Sequence, residues 1–161
     1  MPGNITILST TLVLATMLCH GARADACDPG IVDIRHDGAR VQFKVDLADD
    51  DAERARGLMF VEEMPRFSGM LFVYDHPTWA TFWMKNTFIP LDMLFIDKYG
   101  TVKGIHENAV PHDETTIDGG RGIFAVLEIN GGLSRTLGLA AGAEIRHPAF
   151  DGFWAAWPCD E

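Results

Sequence analysis

Short apolar runs that alternate with polar residues at period two, each cut off after a few residues by turn-forming clusters, constrain this chain more than any other feature. Ile31-Val32-Asp33-Ile34 and Val41-Gln42-Phe43-Lys44-Val45-Asp46-Leu47 alternate in this way on either side of His36-Asp37-Gly38. That pattern predicts strand, turn and strand, most simply a hairpin. Met70-Leu71-Phe72-Val73-Tyr74, Thr81-Phe82-Trp83-Met84, Leu91 to Asp97 and Thr101 to Ile105 continue the series, divided by Asp75-His76-Pro77, Ile89-Pro90 and Lys98-Tyr99-Gly100. Phe124 to Ile129 and Glu144-Ile145-Arg146 add two more strands. None of these runs is long enough to be a helix of ordinary length.

Two short helices interrupt the strands. Asp49-Asp50-Asp51 supplies an N-cap and an anionic first turn, Arg54 and Arg56 fall in the last turn, and Gly57 can take the left-handed position after it. This predicts a helix from about Asp50 to Arg56. Asn130 is the expected cap of a second helix over Gly131 to Leu137, ended by Gly138. The expected fold class is therefore α+β, mainly β: a compact antiparallel sheet, with a partly closed barrel as one form it can take, and two short helices. The tail from Phe150 to Glu161 carries Phe153, Trp154, Trp157 and Cys159, and its aromatic content predicts that it packs back on the domain.

The first residues read as an address. Ile5 to Leu18 is apolar apart from Ser9 and four threonines, and Ala22-Arg23-Ala24 has the small-x-small form cut by signal peptidase. The expected division is a signal peptide at 1–24, with Ala26 as an alternative cleavage point, and a single domain at 25–161 whose core spans about 31–148. Met1-Pro2-Gly3-Asn4 carries no Lys or Arg, unlike most leaders, yet the apolar run falls short of the roughly 20 residues that span a bilayer. A periplasmic or secreted protein follows, with no stable membrane insertion after cleavage. Removing Cys19 with the leader leaves Cys27 and Cys159, which an oxidising compartment would join, with two unpaired thiols as the alternative. A loop of that length stabilises by about 4 to 5 kcal/mol at most.

Charge narrows the partners. The chain carries 13 Lys plus Arg against 23 Asp plus Glu, a net charge of −10, and loss of Arg23 with the leader takes it to −11. Such a field repels phosphate backbones and anionic lipid, so nucleic acid is not an expected partner. A small polar ligand or an envelope protein is.

Arg56-Gly57-Leu58-Met59-Phe60, Gly69-Met70-Leu71-Phe72, and Phe82-Trp83-Met84-Lys85-Asn86-Thr87 running on through Pro90 to Asp97 follow one another in an order that resembles the family called domain of unknown function 192, also uncharacterised protein family 0127. Val126-Leu127-Glu128-Ile129-Asn130-Gly131-Gly132 resembles that family's Leu-Glu-Leu-Asn-Ala-Gly segment. The resemblance covers about Ile31 to Pro148. It implies a compact β-rich domain, often exported or membrane-tethered, and no established activity. Family members usually carry a basic residue soon after Gly-Leu-Met, whereas here Phe60-Val61-Glu62 stand before Arg66.

The candidate ligand-binding residues are Arg56, Trp83, Lys85, Asn86, Thr87, Asp92 and Glu128. Lys, Asn and Thr at the end of a strand place hydrogen-bonding groups over an apolar platform. Lys85 and Asp92 can serve as acid and base or simply as an ion pair. Glu128 interrupts an apolar run, shares a strand face with Val126 and Asn130, and needs a partner if buried, for which Arg56 or Lys85 is available. An envelope hydrolase using Asp92 or Glu128 as acid or base is the enzymatic alternative. A Cu(I)-handling protein is another, because Met59, Met64, Met70, Met84 and Met93 fall within 35 residues, although no M-x-M spacing occurs and core filling accounts for methionine in strands. His106 and His112 match no ligand spacing, so no metal and no cofactor are expected. Ser68 and Ser134 lack an evident base, and Gly119-Gly120-Arg121-Gly122 lacks the Lys-Ser/Thr of a phosphate loop.

Overall fold

The computed structural model describes residues 27–150 and 152–160; the expected leader at 1–24 lies outside them. Seven strands occur among these residues: β1 (Ile31–His36), β2 (Ala39–Ala48), β3 (Ser68–Phe82), β4 (Leu91–Ile96), β5 (Val102–Ala109), β6 (Ile117–Asn130) and β7 (Glu144–Arg146). Helices α1 (Asp51–Arg56) and α2 (Leu133–Thr136) complete the expected mainly β, α+β architecture. The strands form one sheet in the order β5-β4-β6-β3-β2-β1-β7. All neighbours are antiparallel except β2 and β3, which run parallel with Lys44 opposite Ser68. Parallel strands need a crossover, and α1 with the segment after it provides one.

The sheet curls into a half-barrel because its two ends meet. Thr101, just before β5, bridges Glu144 of β7, and Val102 N donates to Ala143 O at 2.9 Å while Ile145 N donates to Gly100 O at 2.8 Å. Inside the curl, Val32, Ile34, Phe43, Leu71, Leu94, Leu127 and Ile145 form one core. The central strands are apolar on both faces, so the intervening residues Phe72, Met93, Phe95 and Val126 form a second core on the outside, with Leu58, Met84 and Leu91 packed over it. Glu128 follows Val126 by two and so belongs to this second face.

Three expectations are corrected. Asp75-His76-Pro77 does not end a strand: Val73 pairs with Ala125 and Thr78 with Ile123, so four residues of β3 stand opposite Phe124 alone and the strand continues through a bulge. Proline is tolerated there because the bulge releases its position from the ladder. Asn130 does not cap α2. Its Nδ2 donates to Pro65 O at 3.0 Å, and the position before the helix is Gly132 at φ 76, with no side-chain cap of its own. The aromatic tail packs back only in part: Trp157 is 3% exposed and ringed by the guanidinium groups of Arg35, Arg40 and Arg146 at 4.7, 4.9 and 4.9 Å, whereas Phe153 and Trp154 are 91% and 74% exposed.

Cys27 and Cys159 are joined, with 5.4 Å between their Cα atoms across a separation of 132 residues. This bond and the Trp157 cluster hold both ends of the described chain against β1 and β7. A Cys27→Ser, Cys159→Ser double variant is expected to unfold with about 2 to 4 kcal/mol less stability in denaturant titrations, since the bond restricts the unfolded chain. An unchanged midpoint would mean that the bond contributes nothing measurable.

Candidate functional site

The local structure of α1 follows its sequence. Asp50 Oδ1 accepts from Glu53 N at 2.8 Å, and Gly57 N donates to Glu53 O at 2.8 Å. Gly57 has φ 49, and a Cβ on it would lie 3.1 Å from the Phe72 ring, so the Arg56-Gly57-Leu58 turn relies on glycine for both conformation and space. Gly69 serves a different need: a Cβ there would fall 2.3 Å from the Glu128 carbonyl oxygen. The close approach of β3 to β6 at Glu128 thus depends on this glycine.

Between the end of α1, the outer face of β3 and the loop after β3 lies a cleft of about 220 Å³. Arg54, Arg56, Leu58 and Met59 line one wall; Phe72, Tyr74, Phe82, Trp83, Lys85 and Thr87 line the others, and Glu128 reaches it from β6. The loop is fixed by its backbone. Asn86 adopts φ 53, its carbonyl accepts from Phe60 N at 2.8 Å, and its Nδ2 lies 4.0 Å from the Met59 sulfur. Thr87 is buried, donating from Oγ1 to Lys85 O at 3.3 Å. Lys85 Nζ sits 5.0 Å from the centre of the Trp83 ring.

Five of the seven expected residues, Arg56, Trp83, Lys85, Thr87 and Glu128, line this cleft. Asn86 shapes the adjoining loop. Asp92 is elsewhere in role: fully buried, it accepts from Asn108 N at 2.7 Å and Gly132 N at 2.8 Å through Oδ1, and from Ser134 N at 2.8 Å and Ser134 Oγ at 2.5 Å through Oδ2. It caps α2 from across the sheet, satisfying helix N–H groups that Gly132 cannot. The expected Lys85–Asp92 ion pair is therefore not formed, because Asp92 has all its acceptor capacity committed to these donors.

Glu128 also lacks the expected partner. It is 4% exposed, and neither Arg56 nor Lys85 nor any other described residue makes a hydrogen bond or ion pair with its carboxyl. In register on either side stand Met70 of β3 and Met93 of β4, whose side chains carry no hydrogen-bond donor. Burial in these surroundings pushes the carboxyl up to about 8. Burial likewise raises the Tyr74 hydroxyl, helped by Glu128 nearby and opposed by Arg54. Arg54 is committed: its guanidinium donates to Asp49 O at 2.6 Å, Val73 O at 2.7 Å and Asp51 at 2.7 Å. Arg56 is exposed and has no partner among the described residues.

Sequence reasoning missed Arg54 and Tyr74 as cleft residues. Arg54 carried a signal as the first arginine of α1, two positions before Arg56 and so on a different side of the helix; Tyr74 carried none, since a tyrosine at a strand end before Asp-His-Pro reads as a boundary. Among the described residues no group of three His, Cys, Asp or Glu is placed to hold a metal ion, and no helix is long and apolar enough to cross a membrane.

A curled half-barrel sheet bearing an outer-face cleft, with a buried carboxyl at its base and cations at its edge, defines a class of small β-rich domains. The chain belongs to the family of domain of unknown function 192, described as an uncharacterized ACR, whose profile matches residues 32–147. No curated protein matches it. Two crystal structures resemble it: a Sinorhizobium meliloti 1021 protein described as a candidate transcription regulator, 39% identical with TM-score 0.71 over 75% of this chain and 95% of that one, and a Novosphingobium aromaticivorans DSM 12444 protein of unknown function, 40% identical with TM-score 0.70 over 81% and 98%.

Proposed function

We propose that the protein is an exported binding or accessory module, and that the cleft beside α1 receives a small polar ligand. The observation that carries this reading is Glu128: a residue only 4% exposed, whose carboxyl has no partner among the described residues and keeps its contact with solvent at a cleft that is also lined by Arg56 and the lightly held Lys85. A carboxyl largely withdrawn from water and given no protein donor is a group that a ligand can complete. The aromatic walls supply apolar contact, and the volume, below the usual range for drug-sized ligands, points to a small molecule. The periplasm or the exterior is the compartment of this reading, supported by the leader-like run Ile5 to Leu18 and by the Cys27–Cys159 bond.

Screening a library of small polar compounds by ligand-observed NMR tests the proposal. Arg56→Ala and Lys85→Ala are expected to weaken any hit by about tenfold or more, as lost charge-assisted contacts do, while leaving the melting temperature within about 2 °C of the parent. A library without hits, or variants that bind as the parent does, would remove the cleft as the site.

A hydrolase reading now rests on Glu128 alone, since Asp92 is occupied as a cap. A Cu(I) reading finds its hook in Met70 and Met93 flanking Glu128, and equilibrium dialysis that retains no copper under reducing conditions would remove it. The regulator description of the Sinorhizobium protein is not carried over, because a net charge of −10 opposes approach to nucleic acid.

A further inference from the structure

The binding reading leaves the ligand's chemistry open, and the distribution of charge in the cleft narrows it. Glu128, 4% exposed and without a partner among the described residues, lines the cleft with Met70 and Met93 in register to either side. Arg56, without a side-chain partner among the described residues, and Lys85, whose ammonium meets only the Trp83 ring among them, stand on the same cleft. A purely anionic ligand satisfies the cations but places its charge toward a carboxyl. A purely cationic ligand does the reverse. A molecule with both charges a few bonds apart satisfies both sets of groups at once.

Resting on that reading, we propose that the cleft binds a zwitterion of the α-amino acid class, its ammonium group meeting the Glu128 carboxylate and its anionic group meeting Arg56 and Lys85. An ammonium brings three donors and the opposite charge to a group that neighbouring methionines cannot satisfy, whereas a hydroxyl brings one donor and no charge. Tyr74, Phe72 and Phe82 also line the cleft and present apolar and π surface suited to a cation. A cleft of about 220 Å³ has room for a molecule of amino-acid size.

The proposal carries a proton balance. In the empty cleft the charged or titratable groups facing Glu128 are Arg54 and Arg56 from the helix, Tyr74 from β3 and Lys85 from the following loop, and none pairs with it. Its carboxyl, pushed up to about 8 by burial, is mostly protonated at neutral pH. Pairing with an ammonium requires the carboxylate, so the O–H bond of Glu128 breaks, the proton leaves to solvent, and each ligand bound releases close to one proton. Affinity therefore rises with pH across the neutral range as the free carboxyl ionises, and falls again in alkali once the ligand's own ammonium loses its proton.

Isothermal titration calorimetry on the exported, disulfide-bonded protein at neutral pH tests this, run in phosphate and again in Tris so that the difference in heat reports protons released. The probes are the common L-amino acids with D-alanine and D-glutamate, set against lactate and 2-hydroxy-4-methylpentanoate, which replace the amine by a hydroxyl. At least one amino acid is expected to bind with close to one proton released. Its hydroxy acid counterpart is expected to bind about ten- to a hundredfold more weakly and without proton release. In Glu128→Gln both the proton release and the preference for the amine should vanish. Hydroxy acids binding as well as amino acids, amino acids binding without proton release, or polar library compounds binding when no amino acid does would each overturn the zwitterion while leaving the binding module in place. No binding by any amino acid, hydroxy acid or library compound would overturn both.

Discussion

Glu128→Gln is expected to be more stable than the parent, by about 3 kcal/mol or about 10 °C in melting temperature at neutral pH, and by almost nothing in acid. The sign follows from the raised carboxyl. In the folded protein Glu128 holds its proton up to about 8, whereas its ordinary value is 4.5. From 4.5 upward the unfolded chain releases this proton first and the folded state binds more protons than the unfolded one, so the parent loses stability steadily as pH rises toward 8. Below 4.5 both states are protonated and the group is neutral to stability. A glutamine has the same shape and never ionises, so its advantage opens through this window and then stays constant. Thermal melts of both proteins from acid to mildly alkaline pH would check it. A constant difference across that range would mean that Glu128 ionises as freely in the folded state as in the unfolded chain. A residue whose removal stabilises the fold while removing the proton-linked binding proposed above is a site group held at the expense of stability.

Asp92→Ala is expected to act in the opposite direction, destabilising by about 3 to 5 kcal/mol and lowering the melting temperature by more than about 10 °C. Asp92 is fully buried and accepts four hydrogen bonds, from the backbone of Asn108, Gly132 and Ser134 and from the Ser134 hydroxyl. Alanine leaves all four donors without a partner in a site that holds β4, the end of β5 and α2 together. Asp92→Asn keeps the shape and one acceptor oxygen, so about half that loss is expected. Ligand affinity, measured well below the melting transition, should be unchanged in both variants, because Asp92 does not line the cleft. Loss of binding in a still-folded Asp92→Asn protein would restore Asp92 to the site.

These two acids also mark how far the sequence could be read. The α1 cap at Asp50 and the turn at Gly57 are local matters, set by backbone conformation within a few residues, and they were legible to within a residue, whereas the alternating runs located the strands but not their full extent: β6 begins at Ile117 rather than Phe124 and β5 runs on to Ala109. The resemblance carried by Trp83-Met84-Lys85-Asn86-Thr87 and Val126-Leu127-Glu128-Ile129-Asn130-Gly131-Gly132 named the family that the match over residues 32–147 establishes. Five of the candidate residues line one cleft. Asp92 and Glu128, by contrast, are the same kind of interruption in the same kind of apolar strand, and nothing within a few residues of either distinguishes them.

Their difference is decided by pairing. β4 lies at β6 in a register that sets Leu91 against Asn130, and this brings the helix after β6 over Asp92, where free N–H groups need an acceptor. The same ladder sets Glu128 between Met70 and Met93, where no described residue donates to it. Continuation of β3 through its bulge, closure of β7 onto Thr101, and capture of Trp157 while Phe153 and Trp154 stay outside are likewise contacts between residues far apart in the chain. By itself the sequence determined which segments become strands, where the first helix begins and ends, and which polar residues stand out from an apolar run. Only the tertiary structure decided which of those residues is satisfied by the fold and which has no hydrogen bond from any described residue, because hydrogen-bond satisfaction of a buried group depends on what other strands place beside it.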